Sequence, residues 1–122
     1  MILVVGATGK ETAQLEDCLP DWDCLQVSLS DEGKPSVPPM ASKPTVILVF
    51  ARKEEEKTVS ICREIRNFPE IATVPILLAV GKYDMAQGNA VKRMGNAEFV
   101  ITPFLQKSLQ DKIAALLEDE HG

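Results

Sequence analysis

Gly6-Ala7-Thr8-Gly9-Lys10 is the segment of this chain whose residue types come closest to a reactive or ligand-holding motif. It follows an aliphatic run, Ile2 to Val5, and precedes a helical pattern. In that context glycines let backbone N–H groups approach a phosphate at a helix start. The segment resembles the Gly-Ala-Thr-Gly opening of short-chain dehydrogenase-like proteins, and a nucleotide- or dinucleotide-binding Rossmann-like protein using Gly6 to Lys10 is the alternative reading. The details depart from both known cradles. A dinucleotide fingerprint wants glycine where Thr12 stands, and an acid at the end of the second strand, where Leu29-Ser30 precede Asp31. A P-loop wants four residues between its first glycine and Gly-Lys, and here there are two.

The other reactive side chains form no constellation. Cys18, Cys24 and Cys62 are odd in number and contain no Cys-x-x-Cys, and the single histidine is His121. That is too few ligands for a Cys/His zinc site. Three buried or half-buried thiols in a reducing cytoplasm are expected instead. The acids Glu54-Glu55-Glu56 open a helical pattern, where they suit its positive end. Thirteen Lys and Arg against eighteen Asp and Glu leave a net charge of −5, with basic residues scattered beside acids. Direct nucleic-acid binding needs a basic footprint and is not expected. Neither a membrane span, which needs about 20 apolar residues, nor a secretory leader with a basic start is expected.

With 45% hydrophobic and 25% charged residues, the 122-residue chain is ordinary globular material for one domain, 1–122. Ile2 to Val5, Val46 to Phe50 and Val74 to Val80 read as strands buried on both faces, Cys24 to Leu29 and Phe99 to Ile101 as further strands. Helices are expected from Thr8 or Gly9 to Leu19, Glu54 to Asn67, Asp84 to Met94, and Leu105 to Glu118. Between Ser30 and Lys43, Gly33, Pro35, Pro38 and Pro39 predict an irregular connection. Residues 118–122 read as a tail or the start of a linker. Alternating buried strands and helices imply a doubly wound α/β fold with a five-stranded parallel sheet. Chemistry in such sheets sits at the carboxyl ends of the strands.

Several segments together resemble the receiver domain of bacterial two-component response regulators. Pro44-Thr45-Val46-Ile47-Leu48-Val49-Phe50 resembles its third strand, and Cys62-Arg63-Glu64-Ile65-Arg66 its third helix. Val74-Pro75-Ile76-Leu77-Leu78 resembles the fourth strand. Glu98-Phe99-Val100-Ile101-Thr102-Pro103-Phe104 resembles the fifth strand and its Lys-Pro-Phe ending. The resemblance implies a CheY-like/flavodoxin-like three-layer sandwich, with the second helix replaced by the Pro-rich loop 31–43.

It also implies where chemistry should be. That family phosphorylates an aspartate ending the third strand, with Mg²⁺ held by acids after the first strand, a hydroxyl after the fourth and a lysine after the fifth. Here those positions align with Phe50, with Gly6 and Ala7, with Val80 and with Thr102. None can do the chemistry, so the resemblance is to a degenerate, pseudo-receiver form. An apolar plug of Phe50, Val80, Ala7 and Val5 is expected there, with no cofactor and no metal. A receiver that keeps phosphoryl signalling through an unrecognised acceptor is a third reading.

What remains is binding. The family communicates through its fourth helix, fifth strand and fifth helix. Gln87, Lys92, Arg93, Met94, Phe99, Lys107 and Gln110 are the candidate partner-binding residues there. Another signalling protein or a fused output domain is the expected partner, with a homodimer through the same face as a further form. The Pro-rich loop is a second candidate surface.

Overall fold

In a computed structural model, which describes residues 1–38 and 43–121, four helices flank one sheet. The strands are β1 (Ile2–Val5), β2 (Cys24–Leu29), β3 (Pro35–Ser36), β4 (Val46–Phe50), β5 (Ile76–Gly81) and β6 (Ala97–Thr102). The helices are α1 (Gly9–Cys18), α2 (Glu55–Arg66), α3 (Met85–Lys92) and α4 (Gln106–His121). The sheet order is β3-β2-β1-β4-β5-β6. The five longer strands are parallel, as expected for a doubly wound sheet.

The sixth strand corrects the five-strand expectation. β3 pairs antiparallel with β2, Leu29 opposite Pro35. The chain reverses because Gly33 adopts φ +80°, a conformation costly for a residue with a Cβ. Ser30 closes the turn: its N–H donates to Lys34 O at 2.9 Å and its hydroxyl accepts from Lys34 N at 3.1 Å. Residues 31–36 of the 31–43 connection therefore belong to a short hairpin, while Val37, Pro38 and Lys43 are irregular as expected. Pro39, from the proline run, lies outside the described residues. α4 also continues to His121, so the backbone of the segment read as a tail is helical up to that point.

Alternation along the central strands builds two cores. Ile2, Val4, Leu48, Phe50 and Ala79 face α1 and α4, whose Leu15, Leu109 and Ile113 cover them. Trp22, in the α1–β2 connection, packs half-buried against that layer. Leu3, Val5, Ile47, Val49, Leu78 and Val80 face α2 and α3, under Ile61, Ile65 and Val91. Each central strand is buried on both sides, which is why it reads as a continuous apolar run.

At the amino ends of β5 and β6 one side chain ties four carbonyls. Arg66 Nη1 donates to Ala72 O at 3.1 Å and Val74 O at 2.5 Å; Nη2 donates to Asn96 O at 3.0 Å and Gly95 O at 3.4 Å. Burial lowers the guanidinium pKa. Arg66→Ala is expected to cost about 2 kcal/mol, the range for hydrogen bonds made by a charged donor. Urea unfolding checks it, and a midpoint equal to that of the parent would show the clamp to be idle.

The three thiols are free, Cys18 and Cys62 buried and Cys24 half-buried. Burial pushes Cys62 up to about 12 and raises the other two, with Asp17 adding to the effect at Cys18 and Glu16 at Cys24. Nucleophilic thiolate is thus disfavoured at each.

Candidate functional site

The strand ends carry the positions that chemistry would use. β1 leads into Gly6, whose φ is +79°. A Cβ there would lie 3.2 Å from Arg52 Nη1 and 3.3 Å from Leu29 Cδ1, so glycine serves both the turn and the close approach. Thr8 then caps α1. Its hydroxyl accepts from Glu11 N at 3.2 Å, and its own N–H donates to Glu11 Oε1 at 2.9 Å. This capping box uses donors that a phosphate would need and places a carboxylate beside them. Electrostatically, the Gly6–Lys10 turn is poorly arranged for an anion.

Phe50 ends β4 and is 3% exposed. Its ring lies 6.4 Å from that of Phe104, tilted by 47°, in the layer that also holds Ala7. Val80 and Val5 are equally buried but belong to the opposite layer. The expected four-residue plug is therefore split by the sheet. The register explains it: Phe50 pairs with Ala79, so the next residue, Val80, points to the other face. Phe104 takes the role assigned to Val80. Thr102 is half-buried, and its hydroxyl donates to Val80 O at 3.2 Å, joining the ends of β5 and β6. Among the described residues no three His, Cys, Asp or Glu side chains gather as metal ligands.

Arg52, in the segment Phe50-Ala51-Arg52 at the carboxyl end of β4 where the sequence places chemistry but assigns this residue no role, lies across these strand ends. Its Nη1 donates to Gly6 O at 3.4 Å. The loop that carries it is pinned from below. Arg52 N–H donates to Thr58 Oγ1 at 2.8 Å, and the Thr58 hydroxyl donates to Gln87 Oε1 at 2.6 Å. Gln87 Nε2 returns to Arg52 O at 3.0 Å and Lys53 O at 3.3 Å. Thr58 and Gln87 are the buried polar residues among those described. Gln87 is thus corrected from a partner-facing residue to a buried one, turned inward because the loop carbonyls need a donor. The signal was present: Thr58 shares its helical face with Ile61, Cys62 and Ile65, and Gln87 shares one with Val91.

Thr58→Val is expected to cost about 1–3 kcal/mol by stranding the Arg52 N–H and a Gln87 oxygen. It should also speed amide exchange at Arg52. Unchanged exchange would mean that the loop is held by something else.

Beside Arg52, a cleft of about 490 Å³ opens between the β2–β3 turn and the start of α2. It is lined by Asp31 and Glu32 on one wall, and by Arg52, Lys53, Glu54 and Lys57 on the other, over Leu29 and Ile61. Glu54 and Lys57 pair at 2.8 Å.

The other proposed surface lies around β6. Phe99 is half-buried in the α2/α3 layer directly against Gly88, where a Cβ would come within 2.5 Å of its Cγ. Lys112 Nζ sits 6.0 Å from the Phe99 ring centroid. Lys92 Nζ is 3.3 Å from Glu98 Oε2, and Glu98 Oε1 accepts from Phe99 N at 3.1 Å. Partial burial raises the Glu98 pKa, but the Phe99 N–H and Lys92 outweigh it and hold the carboxyl below its ordinary value. Arg93 is exposed, while Met94 is half-buried against the α2/α3 layer. Lys107 is exposed and 3.5 Å from Asp111. Gln110 is corrected: its Nε2 donates to Cys18 O at 3.3 Å, so it faces α1 rather than β6. The structure therefore gathers Lys92 and Phe99, with Lys112 added, and removes Gln87 and Gln110. Among the described residues the exposed large apolar side chains, Tyr83, Met85 and Leu105, follow β5 and β6 and were not anticipated.

No protein-family model matches the sequence, and no curated protein matches it. Solved structures do. The signal receiver domain of a signal transduction histidine kinase from Syntrophus aciditrophicus aligns with TM-score 0.66 at 18% identity, over 97% of this chain and 89% of that one. The N-terminal signal receiver domain of a two-component response regulator from Bacteroides fragilis gives 0.70 at 15% identity, over 95% and 94%. A response regulator receiver modulated diguanylate cyclase from Pelobacter carbinolicus gives 0.65 at 13% identity, over 98% and 93%. The chain is thus similar in architecture to CheY-like receiver domains, a doubly wound α/β fold.

Proposed function

We propose that this domain is a non-enzymatic, phosphorylation-independent signal-transduction module of the pseudo-receiver kind, acting in the cytoplasm by binding another protein. The observation that carries this reading is Phe50. A phenyl ring buried against Phe104 stands at the end of β4, where a receiver would present its acceptor carboxylate. Phosphoryl transfer to a carboxylate requires neutralisation by metal and ammonium, and Gly6, Ala7 and Thr102 supply neither. The loop after β4, pinned by Thr58 and Gln87, further supports a surface held in one state. The partner is another signalling protein or a fused output domain, with a homodimer as a further form. It is taken by the face of α3, β6 and α4, through Lys92, Arg93, Met94, Phe99 and Lys107.

Incubation with acetyl phosphate or phosphoramidate and Mg²⁺ is the test. No phosphoryl increment in the intact mass and no change in melting temperature are expected. A phosphorylated aspartate would overturn the reading. Phe99→Ala and the double variant Lys92→Glu/Arg93→Glu are expected to lose a captured partner, and full retention by both would remove this face from consideration.

A further inference from the structure

The two edges of the sheet are unlike. One is β3, two residues long and containing Pro35, a form that discourages further pairing. The other is β6, six residues with the single charge Glu98 and no proline. The backbone of β6 is directed by its ladder. Ile76 N–H donates to Asn96 O at 3.0 Å. In a parallel pair alternate residues face the neighbouring strand, so Glu98, Val100 and Thr102 address β5. Ala97, Phe99 and Ile101 turn their N–H and C=O groups to the free edge. The Phe99 N–H accordingly has no β5 partner and is taken by the Glu98 carboxylate at 3.1 Å.

Two lysines flank this edge from opposite layers. Lys92 comes from α3, on the α2/α3 side, and pairs with Glu98. Lys112 comes from α4, on the α1/α4 side, yet its ammonium lies 6.0 Å from the ring of Phe99, which packs in the other layer. It therefore passes around β6. Grooves of about 380 and 360 Å³ lie between β6 and α4, one bordered by Ala97 and Ala115, the other by Ile101 and Ser108. Small side chains on α4 leave room beside the strand.

We infer that the free edge of β6 is a strand-addition site for an extended, acidic segment of a partner protein. Main-chain bonds to Phe99 and Ile101 supply the pairing. Carboxylates on the added strand take Lys92 and Lys112, and Glu98 gives up the Phe99 N–H. A second copy is the weaker occupant, because two-fold pairing of β6 with itself sets Lys92 and Lys112 of both copies together. The inference rests on the protein-binding reading of this face and specifies its chemistry.

The test uses the full chain and a capped, labelled peptide alternating glutamate with valine. A lysine–valine peptide is the charge control. Two further acidic peptides are N-methylated at alternate residues, one in each register. Anisotropy should show binding of the acidic peptide alone, blocked by N-methylation in one register only. Lys112→Glu should weaken it by about tenfold, the order expected from reversing one charge at a partly desolvated contact. Ile101→Pro removes an outward N–H without touching the ladder to β5 and should abolish binding. If that variant unfolds, the methylated peptides still decide. Binding that needs the lysines but ignores N-methylation would overturn strand addition while leaving the face a protein-binding one. Absence of acidic-peptide binding, equal binding of the lysine peptide, or self-association of the parent chain lost in Ile101→Pro would also overturn it. A phosphoryl adduct in the preceding experiment would instead remove the underlying reading.

Discussion

Phe50→Asp, which puts a carboxylate at the carboxyl end of β4, is expected to unfold the domain or nearly so rather than to create a phosphorylation site. The ring is 3% exposed and meets Phe104. Deleting a buried phenylalanine alone costs about 3–5 kcal/mol, against a total stability of about 5–15 kcal/mol. An unpaired carboxylate in its place adds a desolvation cost. The pH dependence follows in sign. Burial raises the folded-state pKa of the new aspartate above its unfolded value. The folded form then binds more protons, so stability falls as pH rises from the unfolded pKa toward the folded one. Urea unfolding at mildly acidic and neutral pH checks this, with Phe50→Leu as the control for volume. A Phe50→Asp protein of parental stability that binds Mg²⁺ would contradict the packing described for this strand end.

A second large effect is expected at Gly88. A Cβ there would meet Cγ, Cδ1 and Cδ2 of Phe99 at 2.5, 2.8 and 2.9 Å, so the ring or α3 must move. Glycine-to-alanine substitution in a helix ordinarily gains about 1 kcal/mol, but overpacking costs about 1–3 kcal/mol and occasionally more. With three ring atoms inside contact distance the clash wins. Gly88→Val should destabilise by about 3 kcal/mol. In a Phe99→Ala background the obstacle is gone, and Gly88→Ala should become neutral or mildly stabilising. That reversal is the diagnostic, since a double-mutant cycle isolates the pair. Equal costs in both backgrounds would show that α3 is sensitive at Gly88 for some other reason.

Much of the architecture was readable in the residues themselves. Ile2 to Val5 and Val46 to Phe50 are apolar at every position, and only a strand covered on both faces uses such a run. The division of the plug needed the register: Phe50 pairs with Ala79, one residue before Val80, and parity then assigns Phe50 and Val80 to opposite layers. What escaped was polar and local. Gln87 lies one helical turn before Val91 on the inner face of α3, but a polar side chain there reads as exposed until the fold brings the carbonyls of Arg52 and Lys53 to it as acceptors. Gln110 likewise sits on an exposed helical position, and its bond to Cys18 O depends on how α1 meets α4. β3 is two residues long, too short for any periodicity to announce it. Arg52 gains its meaning from Gly6, distant in sequence and adjacent only through the β1–β4 pairing.

The placement of the lone tryptophan has a practical consequence for unfolding experiments. Trp22 belongs to the layer of α1 and α4, whereas the single tyrosine, Tyr83, is 88% exposed. Intrinsic emission is therefore a spectroscopic window on one side of the sheet and nearly blind to the other. Should the two helical layers detach in separate steps, fluorescence and far-ultraviolet dichroism would trace different curves, and their coincidence would be the sign that the layers melt together.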